Sequence, residues 1–264
     1  MAVEDAHVAF APRSGPASLL SMLLAQTALE VRMVLRNGEQ LLLTLVIPVL
    51  VLVVFGTVEL TDLGDRSERL GFLVPGVLAL AVISTAFTGL AIGTGFERRY
   101  GALKRLGSTP LPRAALLGAK GLAVLCVEAL QGTLLCGVGL ALGWAPRGSA
   151  LGAPLAALAL VLAATAAFAS LGLLMAGTLR AEATLAAANL IYLLFLVTGG
   201  IAVPLDRFPD AARPFLESLP AGALAEGLRD VLRDGAALPF GPLLVLTAWA
   251  VGAALLAVRS FRWE

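Results

Sequence analysis

The chain has 264 residues, of which 59% are hydrophobic and only 14% are charged. A soluble domain carries about a quarter charged residues, so this chain has too little polar surface to cover itself in water. Its net charge of +1 argues against a nucleic-acid-binding protein, which usually has a strong basic excess. His7, Cys126 and Cys136 lie too far apart in the sequence to suggest a zinc site. We therefore expect no metal site and no cofactor in this chain.

Six apolar stretches are long enough to cross a bilayer, which takes about 20 helical residues. They lie at about residues 40–60, 71–96, 116–144, 150–178, 183–205 and 236–258. Transmembrane β-strands are shorter and alternate in polarity, and these stretches do neither. The sequence therefore predicts an all-α polytopic membrane protein with six transmembrane helices, which form one transmembrane domain over residues 18–264.

The distribution of basic residues predicts that both termini are cytoplasmic and that the protein is a multi-pass protein of the inner (plasma) membrane. The segment Glu97–Arg113 has five basic residues and one acidic residue, whereas residues 205–237 have four basic and six acidic residues. Lys and Arg accumulate in cytoplasmic loops, which places the first segment inside. Lys120, near the start of the third span, is expected to extend towards the cytoplasmic headgroups.

The N-terminal region is expected to have two parts. Residues 1–17 form a mobile cytoplasmic N-terminus, and residues 18–40 form an amphipathic helix. The apolar stripe of that helix consists of Leu19, Leu20, Leu23, Leu24, Ala28, Val31 and Leu35. A helix of this kind lies in the membrane interface. The alternative is a cytosolic extension of the first span.

The segment 96–120, FERRYGALKRLGSTPLPRAALLGAK, predicts a short amphipathic helix between the second and third spans. Gly107 ends this helix, and the prolines that follow it fix a turn. A charged helix outside the membrane is suited to contact a soluble partner. Leu103 and Leu106 share one face that could enter an apolar groove, and Gly101 would allow close approach of the backbone. The alternative is an ordinary positively charged loop, which does not explain the order of the glycines and prolines.

This segment resembles the E-R-x-x-G-x-L-x-x-L-x-x-T-P-L stretch of type-2 ABC exporter permeases, a family that includes drug, polysaccharide and lipid exporters. The matching residues are Glu97, Arg98, Gly101, Leu103, Leu106, Thr109, Pro110 and Leu111. A second stretch, after the fifth span, resembles the family's G-G-x-x-x-P, L-P and R segment. Its matching residues are Gly199, Gly200, Pro204, Leu219, Pro220 and Arg229.

The resemblance implies the permease subunit of an ABC exporter that moves a drug-like, lipid or glycan cargo. Two permease subunits, identical or related, would associate with two ATPase subunits that bind Mg-ATP, and the helix between spans two and three would carry motion between them. The sequence has no G-x-x-x-x-G-K-[ST] phosphate-binding loop, so we do not expect this chain to be an enzyme. The alternative is a self-contained membrane protein, such as a secondary transporter or an intramembrane enzyme.

Glu128 is the main charge within the predicted spans. It and Gln131 are candidates for the cargo path or the subunit interface; the alternative for Glu128 is a structural hydrogen bond to a neighbouring helix. Residues 206–234 predict two short helices on the outer side before the last span. In the second of these, Leu224, Leu228 and Leu232 form the apolar face and the charged residues form an exposed face.

Overall fold

A computed structural model describes residues 17–38, 42–58, 65–201 and 204–260. The expected mobile N-terminus, residues 1–17, lies almost entirely outside the described residues. The described chain is helical, and its elements follow in order. They are α1 (Leu19–Arg36), a π-helix (Leu42–Val46), α2 (Ile47–Thr57), α3 (Arg66–Val82), a second π-helix (Ile83–Gly89), α4 (Leu90–Arg99), α5 (Ala102–Gly107), α6 (Arg113–Ala141), α7 (Gly152–Thr178), α8 (Ala181–Thr198), a 3-10 turn (Leu205–Arg207), α9 (Arg213–Glu217), α10 (Pro220–Leu232) and α11 (Phe240–Ser260).

Side chains mark the starts of two of these helices. The Ser18 hydroxyl accepts a hydrogen bond from the backbone N–H of Ser21 at the start of α1. The Asp65 carboxylate accepts one from the N–H of Glu68 at the start of α3, at 2.9 Å. Both bonds satisfy a backbone donor that has no partner within the first helical turn.

Within the described ranges, five helical stretches are long and apolar enough to cross a membrane. They are Arg66–Arg99, Ala114–Ala141, Gly152–Thr178, Ala181–Thr198 and Phe240–Ser260. The first predicted span is a shorter apolar helix, Thr44–Thr57, which rises about 21 Å, less than the roughly 30 Å of a bilayer core. The described chain is therefore helical, with five candidate membrane spans and one short apolar helix.

The stretch Arg66–Arg99 lies at the centre of the bundle. In its most apolar window, 83% of the residues are buried, compared with 17–39% in the other four stretches. Its first half packs against α2, α6 and α10, and its second half packs against α7 and α8. Gly172 makes the contact with α7 close, because a Cβ at this position would lie 2.9 Å from the carbonyl oxygen of Phe87.

The two ends of the bundle are built differently. At one end, α4 ends, α5 follows, α6 and α8 begin, and α7 ends; we call this the α5 end. At the other end, the connection between α6 and α7 meets the C-terminus of α10, where the N–H of Arg147 donates to the carbonyl of Leu232 at 2.9 Å. We call this the α10 end.

The two short helices expected before the last span are present as α9 and α10. Their environment differs from the expectation, because α10 is surrounded by the bundle. It packs against α3, α7 and α11, and eleven of its thirteen residues are buried. The helix α10 is therefore part of the core at this end of the molecule.

Candidate functional site

Lys120 is the centre of an ion-pair cluster at the α5 end. Its Nζ lies 3.0 Å from Oε1 of Glu30 on α1 and 2.9 Å from Oε1 of Glu97 on α4. The amide of Gln26 donates a further hydrogen bond to Glu30 at 2.9 Å. We call Glu30, Glu97 and Lys120 the triad. It joins three helices that are far apart in the sequence.

The triad corrects the expectation that Lys120 extends to the lipid headgroups. Lys120 is 3% exposed, and two carboxylates lie within hydrogen-bonding distance of its ammonium group. A buried ammonium is stable only when its charge is paired and its donors are used. The two acids satisfy both conditions inside the protein, so the side chain has no need to reach the membrane surface.

Helix α1 has its polar face towards the protein. Gln26, Thr27 and Glu30 are buried, whereas Leu20 and Leu24 are more than half exposed. This is the reverse of a water-soluble amphipathic helix, which buries its apolar stripe. It is the arrangement suited to a helix whose leucines contact lipid and whose polar residues contact the neighbouring α6. Helix α1 ends at Arg36 and is separate from α2.

Two arginines fix the junction between α4 and α5. The Arg98 guanidinium donates to the backbone carbonyl of Leu179, and Arg99 pairs with Glu182. Leu179 directly follows the end of α7, and Glu182 lies in the first turn of α8. Arg98 and Arg99, the last two residues of α4, therefore connect this helix to the end of α7 and the start of α8.

The position of Leu103 corrects one further expectation, and the backbone at Gly101 explains the turn that precedes α5. Leu103 is 1% exposed, so its side chain packs inside this chain and does not offer an anchor to a partner. Gly101 has φ +72°, a left-handed conformation that glycine adopts without steric cost, and no atom lies within 4 Å of a Cβ placed there. Gly101 therefore allows the turn from α4 into α5, and close approach of a partner's backbone at this position stays a prediction.

The outward side of α5 is polar and accessible. Leu106 is half-buried, and the exposed residues around it are Tyr100, Lys104, Arg105, Gly107, Ser108, Thr109 and Pro110. We call these seven residues the α5 surface. Tyr100, at 68% exposure, is a large aromatic side chain whose ring centre lies 5.9 Å from the guanidinium carbon of Arg99. Tyrosine and arginine, which this surface presents as Tyr100 and Arg105, are enriched among the residues that dominate protein interfaces.

Glu128 and Gln131 lie in the interior of the bundle, on α6. Oε2 of Glu128 accepts a hydrogen bond from the hydroxyl of Thr165 on α7 at 2.6 Å. Gln131 accepts from Thr85 and donates to the carbonyl of Thr44, both at 2.9 Å. Both residues thus bond to neighbouring helices, as the structural alternative for Glu128 expects. Both also line a cavity, so their role in a cargo path stays a prediction.

That cavity has a volume of about 540 Å³ and lies between α3, α6 and α7. The side chains of α10 and of the segment 144–154 close it towards the α10 end. Its walls are mostly aliphatic, and Glu128 is the only acidic residue among the described residues that line it. The volume lies in the range of about 300–1,000 Å³ that is typical of small-molecule sites.

Arg229 on α10 connects the residues of the second family-like stretch. Its guanidinium donates to the carbonyl of Gly200 at 2.5 Å and lies 3.8 Å from the centre of the Phe72 ring. Gly199 and Pro220 are also buried, and a Cβ on Gly199 would lie 2.9 Å from that of Ala221. Pro204 lies at the start of the 3-10 turn. The expectation of an exposed charged face on α10 is wrong for Arg229, which is 3% exposed, because its charge is satisfied inside the bundle.

Comparison with known proteins found a matching family model and a relative of similar length. The family model described as "ABC-2 type transporter" matches residues 22–232, most of the chain. The chain belongs to the ABC-2 type transporter family. A relative from Bacillus subtilis (strain 168), named "Putative transport permease YvfS", is 23% identical over 224 residues, which is 82% of this chain and 87% of the relative.

Membership of the ABC-2 type transporter family implies a multi-pass membrane permease subunit that works with a nucleotide-binding subunit. The matched region begins within α1 and ends with α10, so it includes the triad, the α5 surface and the cavity. Among the described residues, no group of three or more His, Cys, Asp or Glu side chains is placed to hold a metal ion.

Sequence reasoning missed Glu30, although it identified Glu97 from the family resemblance. The missed signal is the pair Gln26 and Glu30, which are four residues apart and therefore adjacent on one helical face. A polar pair on a helix whose other face is rich in leucine suggests a polar partner in the protein. The candidate for that partner was Lys120, the basic residue near the start of the third predicted span.

Proposed function

We propose that this chain is the membrane-spanning permease subunit of an ATP-binding-cassette exporter in the inner (plasma) membrane. It has six crossings, counting the short α2, and both termini are cytoplasmic. It acts as a dimer with a second permease, identical or related, together with two ATPase subunits that bind Mg-ATP. Its cargo belongs to the drug-like, lipid or glycan classes that such permeases export.

The attachment of α5 to the bundle is the observation that carries this proposal. Leu103 is buried on the inner side of α5, while Arg98 and Arg99 at the end of α4 contact Leu179 after α7 and Glu182 in α8. Glu97, the residue before Arg98, joins the triad with α1 and α6. A force applied to the α5 surface therefore reaches α1, α4, α6, α7 and α8 through short polar contacts.

The triad is the proposed transmitter of the ATPase motion. Motion spreads through packed elements and charged networks that have discrete arrangements. A lysine held between two carboxylates has such alternatives, because its ammonium can favour one partner over the other. In this proposal, ATPase closure moves α5, Glu97 moves with the end of α4, and Lys120 transfers the displacement to α1 and α6.

Charge reversal on the α5 surface tests the proposal. The double variant Lys104→Glu and Arg105→Glu changes two exposed side chains and no buried contact. The matched control, Arg66→Glu and Arg233→Glu, makes the same charge change on exposed residues at the α10 end. Each variant is co-expressed with the tagged ABC ATPase subunits of the source organism, and the co-purified permease is measured.

We expect the α5 variant to lose association and ATP-dependent transport in reconstituted vesicles, while the control keeps both. Equal association of both variants with the ATPase would contradict the α5 surface as the contact. ATP-independent transport by the chain alone, driven by an ion gradient, would support the alternative of a secondary transporter.

A further inference from the structure

The cavity between α3, α6 and α7 contains a carboxylate with an unused oxygen. Glu128 is 6% exposed, and its Oε2 is occupied by the hydroxyl of Thr165 at 2.6 Å. Its Oε1 is buried and has no hydrogen-bond partner among the described residues. A buried carboxylate oxygen without a partner is costly, so this side of Glu128 is suited to receive a donor from outside the chain.

In the part of the chain that the structure describes, no cation is placed to neutralise Glu128. Arg147 is the only basic residue among those that line the cavity, and it follows the end of α6. Glu128 lies thirteen residues before Ala141 on that helix, a distance of about 20 Å along the axis. Lys120 is two turns away in the other direction, about 12 Å, and is held by the triad.

The remaining walls exclude most other kinds of ligand. The residues around Glu128 are chiefly aliphatic, with Leu78, Val82, Leu125 and Val161 among them. Such walls cannot satisfy the many hydroxyl groups of a glycan, and an unpaired buried polar group is unfavourable. An anionic ligand would be repelled by the negative charge of Glu128. A hydrocarbon or aromatic body with one positive charge satisfies both the walls and the carboxylate.

We propose that this cavity binds an amphiphilic monocation, with its apolar body against α3, α6 and α7 and its charge at Oε1 of Glu128. This inference rests on the proposed function, because it names the cargo class of the same permease. The carboxylate accepts a hydrogen bond from the cationic group, or lies beside it where no N–H is available, and Thr165 holds the carboxylate in place. The cargo therefore supplies the partner that the chain lacks among its described residues.

Two lipophilic ions of the same shape and opposite charge provide the probe. Tetraphenylphosphonium is a monocation and tetraphenylborate is a monoanion. Binding of each is measured to the full-length permease in lipid nanodiscs. The variant Glu128→Gln keeps an oxygen that can accept from Thr165 but removes the charge. Glu217→Gln, on the exposed part of α9, is the matched control.

We expect tetraphenylphosphonium to bind and tetraphenylborate to bind much more weakly. Glu128→Gln should weaken phosphonium binding by at least about tenfold, as expected when one partner of a buried charge pair is removed, and Glu217→Gln should leave it unchanged. The proposal would be overturned if both ions bound with equal affinity. It would also be overturned if the phosphonium bound equally well to the wild-type protein and to Glu128→Gln. Thermal unfolding of each variant confirms that it is folded.

The two native cysteines report where the ion binds. Cys136 lines the cavity and Cys126 does not, although both lie on α6 and Cys126 is exposed. In Cys126→Ser, the phosphonium should slow reaction of Cys136 with a membrane-permeant maleimide. In Cys136→Ser, it should leave the reaction of Cys126 unchanged. Protection of both, or of Cys126 alone, would place the ion elsewhere. A Cys136 that does not react even without the ion would contradict the proposal, because the cavity would then not admit a small molecule from the membrane.

These measurements are independent of the ATPase. Normal phosphonium binding together with failure of the α5 experiment would contradict the exporter proposal and leave the cation site in place. A successful α5 experiment with no phosphonium binding would contradict only the cation site.

Discussion

Replacement of Lys120 by methionine should destabilise the chain more than any change on the α5 surface. Methionine keeps most of the apolar stem but leaves Glu30 and Glu97 without the ammonium that lies 2.9–3.0 Å from both. Removal of one member of a buried ion pair typically costs about 3–5 kcal/mol. Because the Glu97 side chain is 26% exposed and can partly rehydrate, we expect a loss of about 3 kcal/mol in the free energy of unfolding.

A double-mutant cycle separates the ion pairing from the packing of the lysine stem. Glu30→Gln alone should cost about 1 kcal/mol, because Lys120 keeps Glu97 and the oxygen of the introduced amide can still accept from Gln26. Combined with Lys120→Met, it removes one of the two uncompensated carboxylates. The double variant should therefore be more stable than Lys120→Met alone, with a coupling energy of about 2 kcal/mol.

The assay is reversible unfolding in mixed detergent micelles, followed by the change in helical signal with denaturant. Lys104→Met is the control, because Lys104 is an exposed lysine on α5 and its replacement should stay within about 0.5 kcal/mol. Equal effects of Lys120→Met and Lys104→Met would refute the buried triad. So would a double variant whose loss equals the sum of the two single losses.

Three further changes test other parts of the fold, each by the unfolding midpoint of the purified chain. Arg229→Leu should lower the midpoint strongly, by the equivalent of about 3 kcal/mol, because it leaves the carbonyl of Gly200 and the carboxylate of Glu226, 2.6 Å from the guanidinium, without their partner. Arg233→Leu changes an exposed side chain and should alter the midpoint little. Gly101→Ala should lower the free energy of unfolding by about 1 kcal/mol, because φ is +72° at this residue. Its control is Gly107→Ala, at a helical position with open space around it, which should leave the free energy of unfolding unchanged or raise it slightly. Gly172→Val should be more harmful than either glycine change, because its side chain would meet the backbone of the neighbouring π-helix.

Much of the architecture was accessible from local features of the sequence. Apolar length predicted α6, α7, α8, α11 and the long stretch Arg66–Arg99, because the preference of a segment for the bilayer is a sum over its own residues. The short helix α5 and the pair α9 and α10 followed from the order of glycines, prolines and leucines. The family resemblance carried by Glu97–Leu111 was confirmed by the match over residues 22–232.

Only the tertiary structure decided which side chains satisfy one another. Lys120 and Glu30 are 90 residues apart, and no local pattern states that a lysine near a membrane surface will turn inward. The same holds for Arg229, whose partners include the carbonyl of Gly200, 29 residues away, and for Leu103, whose helix could have presented either face. A buried charged side chain is stable only when opposite charges or hydrogen-bond partners lie close to it. The sequence shows which residues are charged, but it does not show the distances between their side chains. The packing of α1, α4 and α6 supplies those distances, and with them the difference between an exposed cation and the centre of a buried triad.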